Sequence, residues 1–355
     1  MRARAIALVV GLGLACSPVP LGDGERLTVV KSLGSEVIVP ALAESAQQAA
    51  ALEQALRDFD GDPSAARLET ARMAWGRART PWKATTPLLF GPGRDVAGAV
   101  DWSPVERKKL DELLASTDPV DAAGVSVLGA SRRGFHAIEL LLFDDDGYVA
   151  ATALSGDAGA RRRAFLVALA GDVAKRLADL QAAWTSAHLA EFTAPGHGSA
   201  TYTTIDASVD SVVNESITAA EKSTALLAKP LGLMTGGEPR PELAESLPSD
   251  NTAADLEASV RGIRDLYLGT RTGADGRGIV TLVKIRSLDL RVRAAIDTAL
   301  ARLAAVPRPF RAALLARDPS VNAAYDAVRE LRRLFATELV ANLGATLKFS
   351  DNDGD

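Results

Sequence analysis

Residues 29–59, VVKSLGSEVIVPALAESAQQAAALEQALRDF, place Val30, Leu33, Val37, Ile38, Leu42, Ala49, Leu52 and Leu56 largely at three- and four-residue steps. That spacing gathers them on one face of an α-helix, and an aliphatic stripe of this length has to be buried against other elements. The same periodicity recurs over 64–79, 124–143, 158–191, 205–227, 251–267, 279–305 and 320–343. Alternating strand patterns bounded by turn pairs are nearly absent, so the chain reads as all-α, with its helices stacked in bundles. Helix starts carry the usual signals. Asp62-Pro63 and Asp318-Pro319 each set a proline near a first turn after an Asp cap, and residues 249–252 offer several capping side chains.

Two stretches interrupt the helical pattern. Residues 193–204 (TAPGHGSATYTT) are rich in Pro, Gly, Ser and Thr and read as the link between two helical halves. Residues 229–250 are rich in Pro and Gly but lie inside the second half, and their length suggests a functional or packed loop. With 355 residues in all, two packed helical-bundle domains are expected, 25–195 and 203–355. The balance of 45 acidic against 40 basic residues, a net charge of -5, argues against a nucleic-acid partner, because neutralising phosphates needs a basic surface. The single cysteine rules out an Fe–S cluster and a Cys-rich zinc site.

That cysteine stands where an export signal would end. Arg2 and Arg4 precede an apolar run at 5–15 (AIALVVGLGLA), which is too short to span a bilayer and of the length of a signal-peptide core. Gly13-Leu14-Ala15-Cys16 resembles a bacterial lipobox, although Gly13 stands where a leucine is usual. Residues 1–15 are therefore expected to be a signal peptide, with Cys16 lipidated and the mature chain held to a periplasm-facing membrane by its lipid anchor.

The common catalytic motifs are missing. There are three histidines, His136, His188 and His197, and no HExxH, GxSxG, Walker loop or Rossmann fingerprint on a strand. His136 and Glu139 remain, in a helical run opened by Gly134. Residues three apart on a helix are neighbours, so an imidazole and a carboxylate project together and could meet at one metal ion, with Gly134 leaving open space beside that face. The plainer reading of such a pair is a local hydrogen bond. His188 and Glu191 repeat the spacing at a helix end against the linker, in exposed-looking surroundings, and are not expected to form a site. His197 reads as a solvated loop residue. The runs Asp144-Asp145-Asp146-Gly147 and 351–355 (DNDGD) resemble parts of calcium loops, but neither can place a closing Glu at the twelfth position.

The block 133–143 (RGFHAIELLLF) resembles the GxHxxE motif of the imelysin family, also known as peptidase M75. The likeness extends along the chain: Val37 to Pro40 (VIVP); Trp75, Arg79, Pro81, Trp82 and Phe90-Gly91; Glu245-Ser246, Ser249, Thr252 and Asp255; Tyr267-Leu268-Gly269; and the terminal 343–355 (LGATLKFSDNDGD). It implies an exported protein of two helical bundles, a GxHxxE site near where they meet, and a bacterial iron-uptake or iron-regulated setting in which iron-uptake components are the expected partners. It also brings a peptidase label that the residues do not support independently. Thr86 and Leu89 stand where the family often carries an acid and an arginine, so weaker binding than in a member that has them is expected.

A two-residue pair holds a metal poorly. The supporting polar positions expected from the family pattern are Arg79, Ser249, Asp255, Asp353 and Asp355, with Arg79 orienting Glu139 or binding an anion, since a guanidinium stays protonated. Three readings compete: an envelope protein binding a divalent metal, iron or zinc, at His136 and Glu139; a zinc metallopeptidase using the same pair; and a structural or interaction lipoprotein without metal. No catalytic residue is identifiable.

Overall fold

A computed structural model describes residues 22–143 and 151–347. The expected signal peptide, Cys16, the acidic run at 144–146, Asp353 and Asp355 lie outside the described residues. Among those residues the secondary structure is helical throughout, with no strand.

The first helical run opens with α1 (Asp23–Ser32), widens into a π-helical stretch at Leu33–Ile38 and continues as α2 (Val39–Gly61). Pro40 accounts for the widening: it has no N–H to return to residue 36, and its ring would press on that carbonyl in a regular α-turn. α3 (Ala65–Ala84) follows, capped by Ser64, whose side chain accepts from the Arg67 N–H. The cap is therefore Ser64, because Asp62 lies outside the helix. α4 (Gly93–Val100), α5 (Gly134–Phe143) and α6 (Gly156–Ala183) belong to the same first group, with further helical pieces such as Arg107–Ala115 and Leu189–Thr193. The second group includes α7 (Ile205–Ala228), α8 (Thr252–Leu268), α9 (Arg286–Ala304) and α10 (Pro319–Leu334), with shorter helices between and after them. Asp318 caps α10 through the Ser320 N–H, with Pro319 in the first turn.

α2 lies between α3 and α6, and α5 packs on α3 and α6. In the second group α10 contacts α7 and α9, and α8 contacts α7 and α9. The groups share one connected hydrophobic core that includes Leu42, Leu52 and Phe165 on one side and Val212, Ile263 and Leu331 on the other. α3 packs directly on α8, and α1 packs on α7. A Cβ at Gly262 would lie 2.1 Å from the Ala84 carbonyl oxygen, so only glycine allows α8 to seat this closely on the end of α3. That seating brings a polar face of α3 within reach of the chain leading into α8.

Candidate metal centre

Arg72, Trp75, Arg79, Trp82 and Lys83 recur on one face of α3, and that face meets α5. Trp75 Nε1 donates to the Phe135 carbonyl at 3.0 Å, and Arg72 donates to the Leu142 carbonyl at 3.1 Å. Both ends of α5 are thus fastened to α3. Between them Phe135 packs against Trp82 and lies beneath the Arg79 guanidinium, 5.5 Å from its ring centroid.

Gly134 starts α5 with φ +80, and a Cβ there would lie 2.5 Å from the Val100 carbonyl oxygen. The expected open space beside the motif is therefore filled by backbone. The glycine lets the end of α4 come up against α5, and the residue after Val100 is Asp101, whose Oδ1 lies 3.1 Å from His136 Nε2. Gly134→Ala is expected to cost about 1–3 kcal/mol through forced backbone shifts. A urea-unfolding midpoint equal to wild type would show that the backbone has room.

The third contribution comes from the Pro/Gly-rich stretch and the start of α8. Glu139 Oε2 lies 3.0 Å from His136 Nδ1, while its Oε1 accepts from the Ser249 N–H at 3.0 Å and the Ser249 hydroxyl at 2.6 Å. Asp255, fully buried, accepts from Arg79 Nε at 3.0 Å, Ser246 Oγ at 2.6 Å and Asn251 Nδ2 at 2.6 Å. Ser249 and Asn251, expected as caps, turn their side chains to these carboxylates instead, and Asn251 makes no side-chain cap bond to α8. Glu245 Oε1 stands 3.7 Å from His136 Nε2.

Two cations complete the cluster. Arg79, with no exposed surface, donates to Asp101 and Asp255, approaches Glu245 at 3.5 Å and reaches His136 Nε2 at 3.0 Å. Lys83 Nζ lies 3.3 Å from Asp101 Oδ2 and 3.0 Å from Glu245 Oε2. Four carboxyl groups, Asp101, Glu139, Glu245 and Asp255, thus face two fixed cations and one imidazole. Burial pushes the Asp101 carboxyl up, but Arg79 and Lys83 outweigh it and hold the group well below the usual carboxylate range. Glu245 is held down in the same way, against burial, chiefly by Lys83. For Asp255 burial wins over Arg79 and Lys83, and its pKa is raised. Burial and the Arg79 charge disfavour a protonated His136, yet hydrogen bonds with Asp101, Glu139 and Glu245 lift its pKa well above the ordinary value.

His136 Nε2, an Asp101 oxygen and a Glu245 oxygen all lie within 4.8 Å of one another. An imidazole nitrogen with two carboxylate oxygens is a donor set suited to zinc or iron. A cavity of about 190 Å3 reaches it, lined by His136, Glu139 and Glu245 together with Ser103, Pro104 and Arg107. The residues present therefore fit a divalent transition metal.

Of the positions expected from sequence, His136, Glu139, Arg79, Ser249 and Asp255 come together here. Arg79 does not orient Glu139: it reaches Asp255, Asp101 and His136, and Ser249 holds Glu139. Lys83, Asp101, Glu245, Ser246 and Asn251 were not nominated. Glu245-Ser246 belongs to the family-like segment that also holds Ser249 and Asp255, and Lys83 follows Arg79 by one helical turn. Asp101 carried no sequence signal. Thr86 and Leu89 are buried, with the Thr86 hydroxyl donating to the Lys83 carbonyl, and the polar cluster is assembled without them.

His188 departs from its exposed-looking surroundings. It is buried against Trp184 and Tyr202, with Nε2 2.9 Å from the Tyr202 hydroxyl, while Glu191 accepts from Ser199 instead. Burial lowers the His188 pKa. A depressed folded-state value means that the unfolded chain takes up the proton first as the pH drops. The stability associated with neutral His188 is therefore present above about pH 6.5 and is lost as pH falls toward the folded-state pKa. Unfolding curves compared between pH 7.5 and 5.5 should show a smaller loss in His188→Gln than in wild type; equal losses would contradict this.

The fold and the cluster define a helical protein whose GxHxxE histidine sits among carboxylates between two groups of helices. The sequence model of the imelysin family (peptidase M75) matches residues 38–337, and the chain belongs to that family. It is 30% identical over 283 residues to iron-regulated protein A of Synechococcus elongatus, covering 75% of this chain and 73% of the relative. Two crystal structures share the fold. A protein from Parabacteroides distasonis assigned as an iron-regulated protein A precursor superposes with a TM-score of 0.79 at 19% identity, covering 91% of this chain and 96% of that one. An imelysin-like protein from Psychrobacter arcticum gives a TM-score of 0.76 at 17% identity, covering 94% of this chain and 100% of the other.

Proposed function

We propose that this chain is a membrane-anchored envelope protein that binds a divalent transition metal, iron in its physiological setting, through Asp101, His136 and Glu245. The observation that carries the reading is the hydrogen bond between Glu139 and His136 Nδ1. It holds the ring by Nδ1 and directs Nε2 toward Asp101 and Glu245, so that a metal bound there would replace the Nε2 proton and the contact with Arg79. When bound, the metal would supply positive charge to a cluster in which carboxyl groups outnumber fixed cations. Iron as the cargo is suggested by the relative named for iron regulation. A peptidase would need a carboxylate besides the ligands to activate water, and the two others in the cluster are held, Glu139 by His136 and Ser249 and Asp255 by Arg79, Ser246 and Asn251, so binding is the better supported activity.

Protein purified without a His tag should carry or take up about one Zn2+ or Fe2+ per chain, and His136→Gln should carry none. Wild-type protein that is folded yet holds no metal above background would leave the cluster as an ion-pair network joining the helices.

The anchoring part rests on the apolar run at 5–15 followed directly by Cys16. Cys16→Ser is expected to move the protein from membrane to soluble periplasmic fractions. Unchanged membrane association would count against the lipid anchor.

A further inference from the structure

The two carboxylates proposed as ligands are already occupied by a cation. Lys83 Nζ lies 3.3 Å from Asp101 Oδ2 and 3.1 and 3.0 Å from the Glu245 oxygens, with its side chain only 6% exposed. Arg79 also contacts both carboxylates, but it is tied elsewhere. Its Nε bonds Asp255, which Ser246 and Asn251 hold in turn, and Phe135 packs beneath its guanidinium. Among the described residues, the hydrogen bonds and ion pairs of Lys83 Nζ run to the two candidate ligands alone. A lysine is a point charge on a flexible four-carbon stem, whereas a forked and stacked arginine is held in one orientation. Of the two cations, Lys83 is the one that can leave.

We propose that the Lys83 ammonium is a built-in competitor for the metal site, held between Asp101 and Glu245 until a metal ion displaces it. The proposal rests on the reading that Asp101, His136 and Glu245 bind metal. It assigns Lys83 a role in selectivity. An incoming ion gains only the difference between its own attraction to the two carboxylates and that of the ammonium it replaces. Hard ions such as Mg2+, which hold their water and take oxygen ligands, gain little from this exchange. Zinc and iron(II) also gain the His136 nitrogen, which Lys83 does not contact, once the Arg79 Nη2 that stands 3.0 Å from it gives up that contact. The site would therefore stay closed to abundant hard cations and open to transition metals.

The test is titration of Zn2+ and Co2+ into the full chain, wild type against Lys83→Met and Lys83→Gln, with the Co2+ absorption band reporting the ligand set. Tighter Zn2+ binding in the variants, on the order of tenfold or more, is expected because a charge in direct contact with two ligands has been removed, with an unchanged Co2+ spectrum and newly measurable Mg2+ competition. Unchanged or weaker Zn2+ affinity in a folded variant overturns the proposal. If wild type binds Zn2+ and His136→Gln abolishes that binding while Lys83→Met equals wild type, only the role of Lys83 falls. If neither wild type nor Lys83→Met takes up either ion, the metal reading falls with it. Amine acylation of the wild-type chain, mapped by mass spectrometry, separates displacement from a general change in charge and applies even where the variants do not fold. Lys83 should be protected without metal and become reactive on Zn2+ saturation; reactivity that does not respond to Zn2+ overturns the proposal.

Discussion

Arg79→Met is expected to destabilise the protein by about 3–5 kcal/mol, the range for removing one partner of a buried ion pair. The loss follows from what remains behind. Asp101 and Glu245 keep Lys83, but Asp255, with no exposed surface, keeps only the Ser246 hydroxyl and the Asn251 amide. Its pKa is raised by burial even with Arg79 present. Without the guanidinium the carboxyl is pushed toward its neutral form, so the penalty should shrink as the pH is lowered. Replacing both partners, Arg79→Met with Asp255→Leu, should recover part of the loss, because the uncompensated buried charge is then gone. The measurement is a set of urea midpoints for the two single variants and the double variant at pH 7 and pH 5. A single variant within about 1 kcal/mol of wild type would show that water reaches Asp255 and that the pair does not join α3 to α8 energetically.

The same pair marks how far the sequence could be read. Arg79 and Asp255 are 176 residues apart, and each was singled out only because a family pattern spans both. Periodicity identified the helices because burying an aliphatic face is a property of the local chain. It merged elements wherever tertiary contacts interrupt a helix without interrupting the pattern. Residues 124–143 read as one helix but are broken before Gly134, which starts α5 in a left-handed conformation so that Val100 can approach. Local chemistry also misled at the start of α8. Ser249 and Asn251 have the side chains of helix caps, yet buried carboxylates compete for those groups and win: Glu139 of α5 takes the Ser249 hydroxyl, and Asp255 in the first turn of α8 takes the Asn251 amide. Asp101 was invisible for a related reason. It follows a short helix, belongs to no periodic pattern, and becomes a site residue only because Gly134 admits the backbone beside it.

Asp101→Asn and His136→Gln are each expected to weaken Zn2+ binding beyond the roughly 10- to 100-fold loss expected for Glu139→Gln. Helical spacing alone cannot distinguish these roles, because His136 and Glu139 project from the same face whether they share an ion or a proton. The hydrogen bonds distinguish them. Glu139 commits one oxygen to His136 Nδ1 and the other to Ser249, whereas the Nε2 side of the ring faces Asp101 and Glu245. A residue that only orients the ring leaves the donor set intact when changed to its amide. Glu139→Gln should therefore bind with the wild-type Co2+ spectrum at reduced affinity, while Asp101→Asn should change the spectrum or abolish binding. Ser249→Ala supplies an independent check, since removing the hydroxyl leaves Glu139 Oε1 with the backbone N–H of residue 249 alone and touches no candidate ligand, and it should resemble a mild form of Glu139→Gln. If Glu139→Gln instead eliminates binding with a spectral change while Asp101→Asn leaves both intact, the ion sits on the Nδ1 side of the ring. The carboxylate three residues along the helix would then be a ligand itself, as its spacing first suggested.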